Sequence, residues 1–182
     1  MVNSLTNAVQ FGLRDKVVNN KNFEIIVPLY SRLMAKGAGA NVKGIFGSTN
    51  WHWSLQDEGS KAFVKSFGTK YGFPPSQAAH TVYCQTLLYA DACNRAGTFN
   101  PCGVGEALEG FEFDGLGNGK TLYRADDHQC FKDVLVVKGK ENPTSEFDLL
   151  EIVEVTPMEQ VHYAPDHPMF AGGDWGACNP GA

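Results

Sequence analysis

Side chains that could bind a metal ion cluster late in the sequence, at Asp126, Asp127, His128 and Cys130. Strong metal motifs place paired ligands at short, repeated spacings. This cluster offers one histidine and one cysteine with no second pair, so we interpret it as a polar turn. The sequence therefore predicts no metal site, and no motif in it calls for another cofactor.

His80 and Cys84 form the best candidate for nucleophilic catalysis. They lie four residues apart on a predicted helix, a spacing that places two side chains on one face. A thiol hydrolase would use the histidine to activate the cysteine. Because the same face carries the apolar residues of the helix, a packing role is favoured, and we predict that the chain is not an enzyme. A Cys/His thiol hydrolase remains the enzymatic alternative.

Three aromatic side chains are better placed for binding than for catalysis. Tyr30, Trp51 and Trp53 come just after predicted strands, where α/β proteins carry ligand-binding groups. Indole rings supply flat apolar walls and one hydrogen-bond donor, and tyrosine adds a polar tip. We predict that these three residues contact a ligand.

Composition excludes several classes of function. The 182 residues carry a net charge of −5, which disfavours nucleic acid as a partner. No apolar run approaches the roughly 20 residues that span a bilayer. The first residues lack the basic start and apolar stretch of a signal peptide. The five cysteines allow at most two disulfides.

Hydrophobic periodicity predicts helices first and antiparallel strands last. The predicted helices cover residues 3–13, 57–71 and 76–96, with a short one after Asn100-Pro101; the predicted strands cover 23–27, 131–137 and 147–155, with residues 36–47 as loop. Asn118-Gly119 predicts a type I′ hairpin, because both residues of that turn need positive φ. This order indicates a composite α/β architecture in which the chain passes between two sub-domains.

Several segments together resemble one known family. The segments are Phe63-Val64-Lys65-Ser66-Phe67 with Lys70-Tyr71-Gly72, the helix that opens at Ala78-Ala79-His80, residues 119–129, and residues 134–140. In order and spacing they resemble the type I periplasmic solute-binding proteins of ABC transporters, the leucine/isoleucine/valine-binding family. The resemblance runs through nearly all of residues 1–156. It implies an α/β fold of the type I periplasmic-binding-protein kind, with a partial two-lobed α/β/α architecture.

The resemblance also implies a domain organisation. Residues 1–54 would be a remnant of the second lobe, residues 55–120 part of the first lobe, residues 121–156 return strands in the second lobe, and residues 157–182 an irregular C-terminal tail. Members of the family are much longer than this chain, so we expect a truncated C-terminal portion. Broken lobes leave apolar surface uncovered, so self-association of the chain is expected.

By the same resemblance, the intact protein would bind a small polar, amino-acid or amide-like ligand in the periplasm and deliver it to an ABC permease. A ligand-sensing regulator with the same fold is the alternative. Ala78 falls near a ligand-contact position of the family, whereas Leu29 stands where amino-acid-binding members carry a carboxylate. A disulfide between Cys130 and Cys178 is expected in the periplasm.

Overall fold

A computed structural model describes residues 2–168 of the chain. The five α-helices are α1 (Val2–Gln10), α2 (Arg32–Ala38), α3 (Glu58–Tyr71), α4 (Gln77–Ala96) and α5 (Pro101–Leu108). Short 3-10 turns occur at Leu13–Asp15, Gly39–Val42 and Met158–Gln160. Each helix within residues 2–168 is too short or too polar to span a lipid bilayer.

In the described part of the chain, nine strands form three separate sheets. The strands are β1 (Val17–Val18), β2 (Lys21–Asn22), β3 (Ile26–Val27), β4 (Phe46–Thr49), β5 (Glu112–Phe113), β6 (Thr121–Tyr123), β7 (Cys130–Phe131), β8 (Val134–Gly139) and β9 (Leu150–Thr156). The largest sheet has the order β3-β4-β8-β9, a second has the order β5-β6-β7, and β1 pairs with β2. Among these nine strands, β3 and β4 pair in parallel, and the other pairs are antiparallel.

The four-stranded sheet and two helices build what we call the sheet body, residues 2–49 and 134–156. Along β8 every second residue is buried, as expected for a strand with one face on a core. Leu135 and Val137 of β8 are completely buried in one cluster with Leu5 of α1 and Ala35 of α2. Leu150 opens β9 in the same core.

Residues 58–131 form a second unit, the helical body, with its own packing. Helices α4 and α5 meet through Ala92, Cys93 and Val104. A second group, at the other end of α4, surrounds Phe63, whose ring stacks on Tyr83 with ring centroids 4.5 Å apart. The small sheet β5-β6-β7 completes this body.

The chain passes between the two bodies three times. It crosses first at residues 50–57 and returns between β7 and β8. The third crossing follows β9, where the Met158 backbone N–H donates to Asp133 Oδ1 at 3.0 Å. Beyond it the chain lies again on the helical body, because Arg124 donates to the Tyr163 carbonyl and His162 packs on Phe131.

The helix starts follow local sequence. Ser31, Asp57, Ser76 and Asn100 each precede a helix and accept a backbone N–H of its first turn. Such caps satisfy amides that have no partner inside the helix. Helices α3 and α4 end at the left-handed glycines Gly72 and Gly97.

Three sequence predictions need correction at this level. Part of the loop predicted at 36–47 is helix α2 and a 3-10 turn, because Ser31 caps a helix that the glycines at 37 and 39 obscure. The hairpin forms with positive φ at Asn118 and Gly119, but its loop spans residues 114–120 because Phe113 pairs with Thr121. Finally, β6 and β7 share a sheet with β5, so the chain returns to the sheet body at residue 134 rather than 121.

Candidate functional site

Asn118 holds two of the crossing segments together. Its side-chain amide donates to the Asn50 carbonyl at 2.6 Å and to the Asp133 carbonyl at 2.8 Å. Asn118 is 5% exposed and has a φ of 61°, in the left-handed region that asparagine tolerates better than most residues. Both amide hydrogens are therefore used to fix the first crossing beside the second.

Asp57 links the same loop to helix α3. One carboxylate oxygen accepts the Ser60 N–H at 2.8 Å, and the other accepts the Asn118 N–H at 3.4 Å. Burial alone would raise the pKa of Asp57, but the hydrogen bonds from Ser60 and Asn118 outweigh it and lower the pKa. The ionised carboxylate thus favours the folded arrangement.

Trp51 anchors the first crossing in the helical body. Its ring stacks on His80 with centroids 4.3 Å apart and meets the Phe63 ring edge-on. The indole N–H donates to Ser60 Oγ at 2.9 Å. Trp51 is 1% exposed, so the structure gives this predicted ligand contact a packing position, and its role towards a ligand stays a prediction.

The His80–Cys84 pair is close, and its hydrogen bonds favour a packing role. His80 Nε2 lies 3.3 Å from Cys84 Sγ and 2.6 Å from the Leu116 carbonyl, which accepts its hydrogen. A nitrogen that donates to a carbonyl cannot take the proton of the thiol, and the other ring nitrogen, Nδ1, lies farther from Sγ, at 3.7 Å. Burial also raises the pKa of Cys84 and lowers the pKa of His80 to about 4. The geometry therefore favours the packing interpretation over a thiol hydrolase.

A cleft opens between the two bodies near the first crossing. Its walls come from Trp53, from the end of α3 and the turn that follows it, and from the loop between β8 and β9; the lining residues are Trp53, Val64, Gly68, Gly72, Phe73, Pro74, Ser145 and Phe147. Its volume is about 370 Å³. It lies near Trp53, which follows the carboxyl end of β4, the edge of a parallel pair where α/β proteins bind ligands.

Arg32 lies behind the aromatic walls of this cleft. Its guanidinium carbon is 5.6 Å from the centre of the Phe73 ring and 5.3 Å from that of Phe147. The two rings are themselves stacked with centroids 6.3 Å apart. Arg32 is 5% exposed, and burial lowers its pKa while nearby Glu146 opposes that effect. A buried cation thus lies against one aromatic ring from each body.

His52 and Trp53 place two more polar atoms in this region. His52 is 3% exposed, and its Nδ1 lies 2.8 Å from Ser54 Oγ. Burial, with the charges of Lys140 and Arg32, lowers the pKa of His52 to about 4, although Asp148 opposes the shift. The buried atoms His52 Nε2, Trp53 Nε1 and Arg32 Nε have no hydrogen-bond partner within residues 2–168.

The other predicted ligand contacts lie apart from one another. Tyr30 has no exposed surface and packs in the core of the sheet body. Burial raises the pKa of its hydroxyl. Ala78 lies exposed in the first turn of α4, and Leu29 is 67% exposed with a φ of 56°. The cleft therefore includes Trp53 among the four predicted residues, and the roles of the others stay predictions.

The late acidic cluster forms ion pairs within the helical body. Asp127 accepts two hydrogen bonds from the Arg124 guanidinium, at 2.9 and 2.5 Å. His128 Nε2 lies 2.9 Å from Glu109 Oε1. In the described part of the chain, no three His, Cys, Asp or Glu side chains are arranged to hold a metal ion.

The predicted disulfide between Cys130 and Cys178 needs correction. Cys178 lies outside the described residues. Cys130 has a free, exposed thiol, whereas Cys102 is disulfide-bonded. Sequence spacing could not distinguish these cysteines, because both follow predicted turns or helix starts.

Sequence reasoning missed four residues that shape this region: Asn118, Arg32, Phe73 and Phe147. The Asn-Gly pair indicated the turn at residue 118. The sequence did not show that the Asn118 side chain contacts segments 68 and 15 residues away along the chain. Ser31 before Arg32 is a helix-start signal that would have placed Arg32 on α2. The two phenylalanines meet only through the tertiary fold.

The comparison with known families decides what this architecture is. The model of the family described as periplasmic binding protein matches residues 1–144. The chain belongs to the periplasmic binding protein family. No curated protein sequence matches it significantly.

Solved structures of this fold agree with the assignment. The amino acid ABC transporter substrate-binding protein of Pseudomonas fluorescens Pf-5 is 22% identical, with a TM-score of 0.74 over 86% of this chain and 41% of its own. A periplasmic binding protein of Burkholderia mallei is 21% identical, with a TM-score of 0.73 over 89% and 42%. A solute-binding protein from Rhodopseudomonas palustris BisB5, solved with 3,4-dihydroxybenzoic acid, is 14% identical, with a TM-score of 0.68 over 86% and 42%.

These matches confirm the resemblance inferred from the sequence and the type I periplasmic-binding-protein fold. The chain spans about two-fifths of the length of these structures. Members of the family are periplasmic and bind small molecules for ABC permeases.

Proposed function

We propose that this chain provides part of a solute-binding site of an ABC transporter, in the cleft between the sheet body and the helical body. The sheet body would correspond to the family's second lobe and the helical body to part of its first lobe. The intact protein would work in the periplasm and deliver its solute to a permease.

The position and lining of the cleft carry the proposal. Trp53 of the first crossing, Phe73 of the helical body and Phe147 of the sheet body face it together. A ligand held there would contact both bodies, so its binding would favour their closed arrangement. Ala78, five residues beyond Phe73, stays a predicted contact at the same end of the helical body.

The names and bound ligands of similar proteins support a small solute. The Pseudomonas protein is described as an amino acid transporter component, and the Rhodopseudomonas protein holds an aromatic acid. Leu29 stands where amino-acid-binding members carry a carboxylate, which favours a solute without the free ammonium of an amino acid.

The protonation state of Cys84 and the hydrogen bond of His80 support a binding role without catalysis. The thiol of Cys84 is held protonated by its raised pKa, and His80 donates its hydrogen to a carbonyl. A thiol hydrolase needs a thiolate and a free base instead.

Titration of the chain with three classes of solute tests the proposal. The panel is L-leucine, propionamide and 3,4-dihydroxybenzoate, followed by calorimetry and by indole fluorescence. We expect saturable binding of at least one solute, and loss of that binding in Trp53→Leu. Phe99→Leu is the matched control, because Phe99 is 81% exposed and lies outside the cleft. No binding by any class, or equal binding by both variants, would overturn the proposal.

A further inference from the structure

We propose that the cleft selects solutes with a planar anionic group, a carboxylate above all, and that the Arg32 guanidinium is the charge partner of that group. This inference rests on the proposed function, because it names the class of solute that the cleft binds. Four observations carry it. Arg32 is buried, and the nearby acids are already paired with lysines. Nearby hydrogen-bond donors have no partner within residues 2–168, and aromatic rings line the cleft.

Arg32 is a buried cation without an anionic partner. It is 5% exposed, its Nε has no hydrogen-bond partner within residues 2–168, and the ion pairs found there do not include it. Burial of a charge is strongly unfavourable unless a partner and hydrogen bonds compensate it. A bound anion would supply that partner.

The acids near Arg32 are already engaged by other cations. Glu146 Oε1 lies 3.2 Å from Lys36 Nζ, one turn along α2, and the Glu146 side chain is 61% exposed. Asp148 Oδ1 accepts from Lys140 Nζ at 2.6 Å. The guanidinium fork of Arg32 therefore remains available for two parallel hydrogen bonds to a carboxylate.

Two unpartnered buried atoms on the first crossing, Trp53 Nε1 and His52 Nε2, are hydrogen-bond donors. Trp53 Nε1 carries a hydrogen in every state. His52 Nδ1 accepts the Ser54 N–H, which places the hydrogen of the neutral ring on Nε2. Both atoms are buried without a partner in the described residues. Ligand oxygens satisfy such a set of donors, and a cationic group would not.

The walls of the cleft favour a flat apolar body next to the anionic group. Phe73 and Phe147 are nearly parallel, with an angle of 24° between their rings, and Trp53 adds a third aromatic surface. Flat apolar groups pack well against such faces. The Arg32 guanidinium lies over both phenylalanine rings, so a small aromatic or branched carboxylate packed against those rings would bring its anionic group to the guanidinium.

Benzoate and benzamide test the inference, because they share shape and differ in charge. Calorimetry of the chain should show that benzoate binds at least about tenfold more tightly than benzamide, as expected for a charged hydrogen-bonded pair. Arg32→Met should remove this difference. Lys120→Met is the matched control, because Lys120 is exposed, pairs with Glu112 and does not line the cleft, and it should leave benzoate affinity unchanged.

Melting temperatures of Arg32 variants distinguish a role in ligand binding from a role in folding. Without ligand, Arg32→Met should melt at the same or a higher temperature than the wild type, since it removes an uncompensated buried charge. Arg32→Lys keeps the charge without the planar fork, so it should fold and bind benzoate with intermediate affinity. A lower melting temperature for both variants, with unchanged benzoate affinity, would overturn the inference.

The remaining outcomes distinguish this inference from the proposed function. If benzamide, propionamide or leucine binds as well as benzoate and independently of Arg32, the anionic selectivity is wrong and the solute-binding cleft stands. If no solute binds, both proposals fail together.

Discussion

Asn118 shows how one side chain can define a hinge. Its amide reaches the backbone of two different crossing segments, and its own N–H is held by Asp57. A substitution that keeps the backbone conformation and removes the amide isolates this contribution. Glycine is that substitution, because it adopts positive φ without steric cost.

We expect Asn118→Gly to lower the free energy of unfolding by about 2 kcal/mol, since two partly buried hydrogen bonds are lost. Urea unfolding followed by circular dichroism would measure it. Asn19→Gly is the matched control, because Asn19 also has positive φ, at 51°, but is exposed. Equal losses in the two variants would contradict a role for the Asn118 amide.

Two buried histidines make the stability of the fold depend on pH. The pKa values of His52 and His80 are lowered to about 4, below the ordinary value near 6.5 for an unfolded chain. The unfolded state therefore takes up protons first as the pH falls from about 6.5 to about 4. Stability is greatest above this window and is lost through it, by as much as about 1.4 kcal/mol per pH unit for each histidine.

We expect His52→Gln to reduce the loss of stability between pH 6.5 and 4.5 relative to the wild type, measured by urea unfolding at several pH values. Asn142→Gln should leave the slope unchanged, because Asn142 is exposed and does not titrate. Acids with lowered pKa values, such as Asp57 and Asp148, lose their contribution at lower pH. An unchanged slope in His52→Gln would contradict the assignment.

Single residues were the hardest feature to predict from the sequence. Trp51 and Trp53 are separated by one residue and were treated alike, yet one packs in the helical body and the other lines the cleft. Side-chain alternation along an extended segment separates neighbours, but it does not say which body each neighbour meets. Arg32 was missed because a buried cation has no sequence signature of its own.

At the scale of elements, local signals predicted more. Helices α3, α4 and α5 begin after Asp57, Ser76 and Asn100 as expected, because capping depends on a few neighbouring residues. The missed helix α2 contains Gly37 and is followed by Gly39, and its stability comes from packing of Ala35 and Ala38 on the sheet. Tertiary contacts of this kind override intrinsic propensity.

Replacing glycine by alanine should change the stability of the fold in opposite directions at two positions. A Cβ at Gly139, the last residue of β8, would lie 1.7 Å from the Val42 carbonyl oxygen, whereas a Cβ at Gly105 inside α5 would meet nothing within 4 Å. We expect Gly139→Ala to destabilise the fold by about 2 kcal/mol through backbone displacement. Gly105→Ala should stabilise it by about 0.5–1 kcal/mol.

The midpoints of urea unfolding for the two variants, measured beside the wild type, test this pair. Shifts in the same direction would contradict the packing that the structure gives to the Val42–Gly139 contact.

At the scale of the whole molecule, the exposed edge of the large sheet is the feature most prone to self-association. Within residues 2–168, strand β3 pairs with β4 alone, and its Ile26 is 70% exposed. Beside it a groove of about 530 Å³ runs between α1 and residues 23–28, with Leu5, Ala8 and Leu13 in its wall. Exposed apolar edges of this kind promote strand-to-strand association.

We therefore expect the chain to self-associate at micromolar concentration, and Ile26→Lys to shift it towards monomer by placing a charge on the edge. Sedimentation velocity would measure the distribution. Val82→Lys serves as control, because Val82 is 67% exposed on α4, far from the sheet. A monomeric wild type, or equal effects of the two variants, would contradict a role for this edge.

The two-body organisation was predictable from the sequence, because the order of helices and strands does not fit one sheet. The boundary at residue 134 was not, since strands β6 and β7 look like any others in sequence. Which sheet a short strand joins depends on contacts distant along the chain.

The Asn118–Gly119 pair also sets a chemical lifetime for the molecule. Asparagine followed by glycine is prone to deamidation, because the glycine backbone nitrogen attacks the side-chain amide without steric hindrance, and asparagine is among the thermolabile residues. The aspartate and isoaspartate products have no side-chain N–H to donate to the Asn50 and Asp133 carbonyls. Ageing of the protein would therefore loosen the crossing segments first, while the cores of both bodies remained intact.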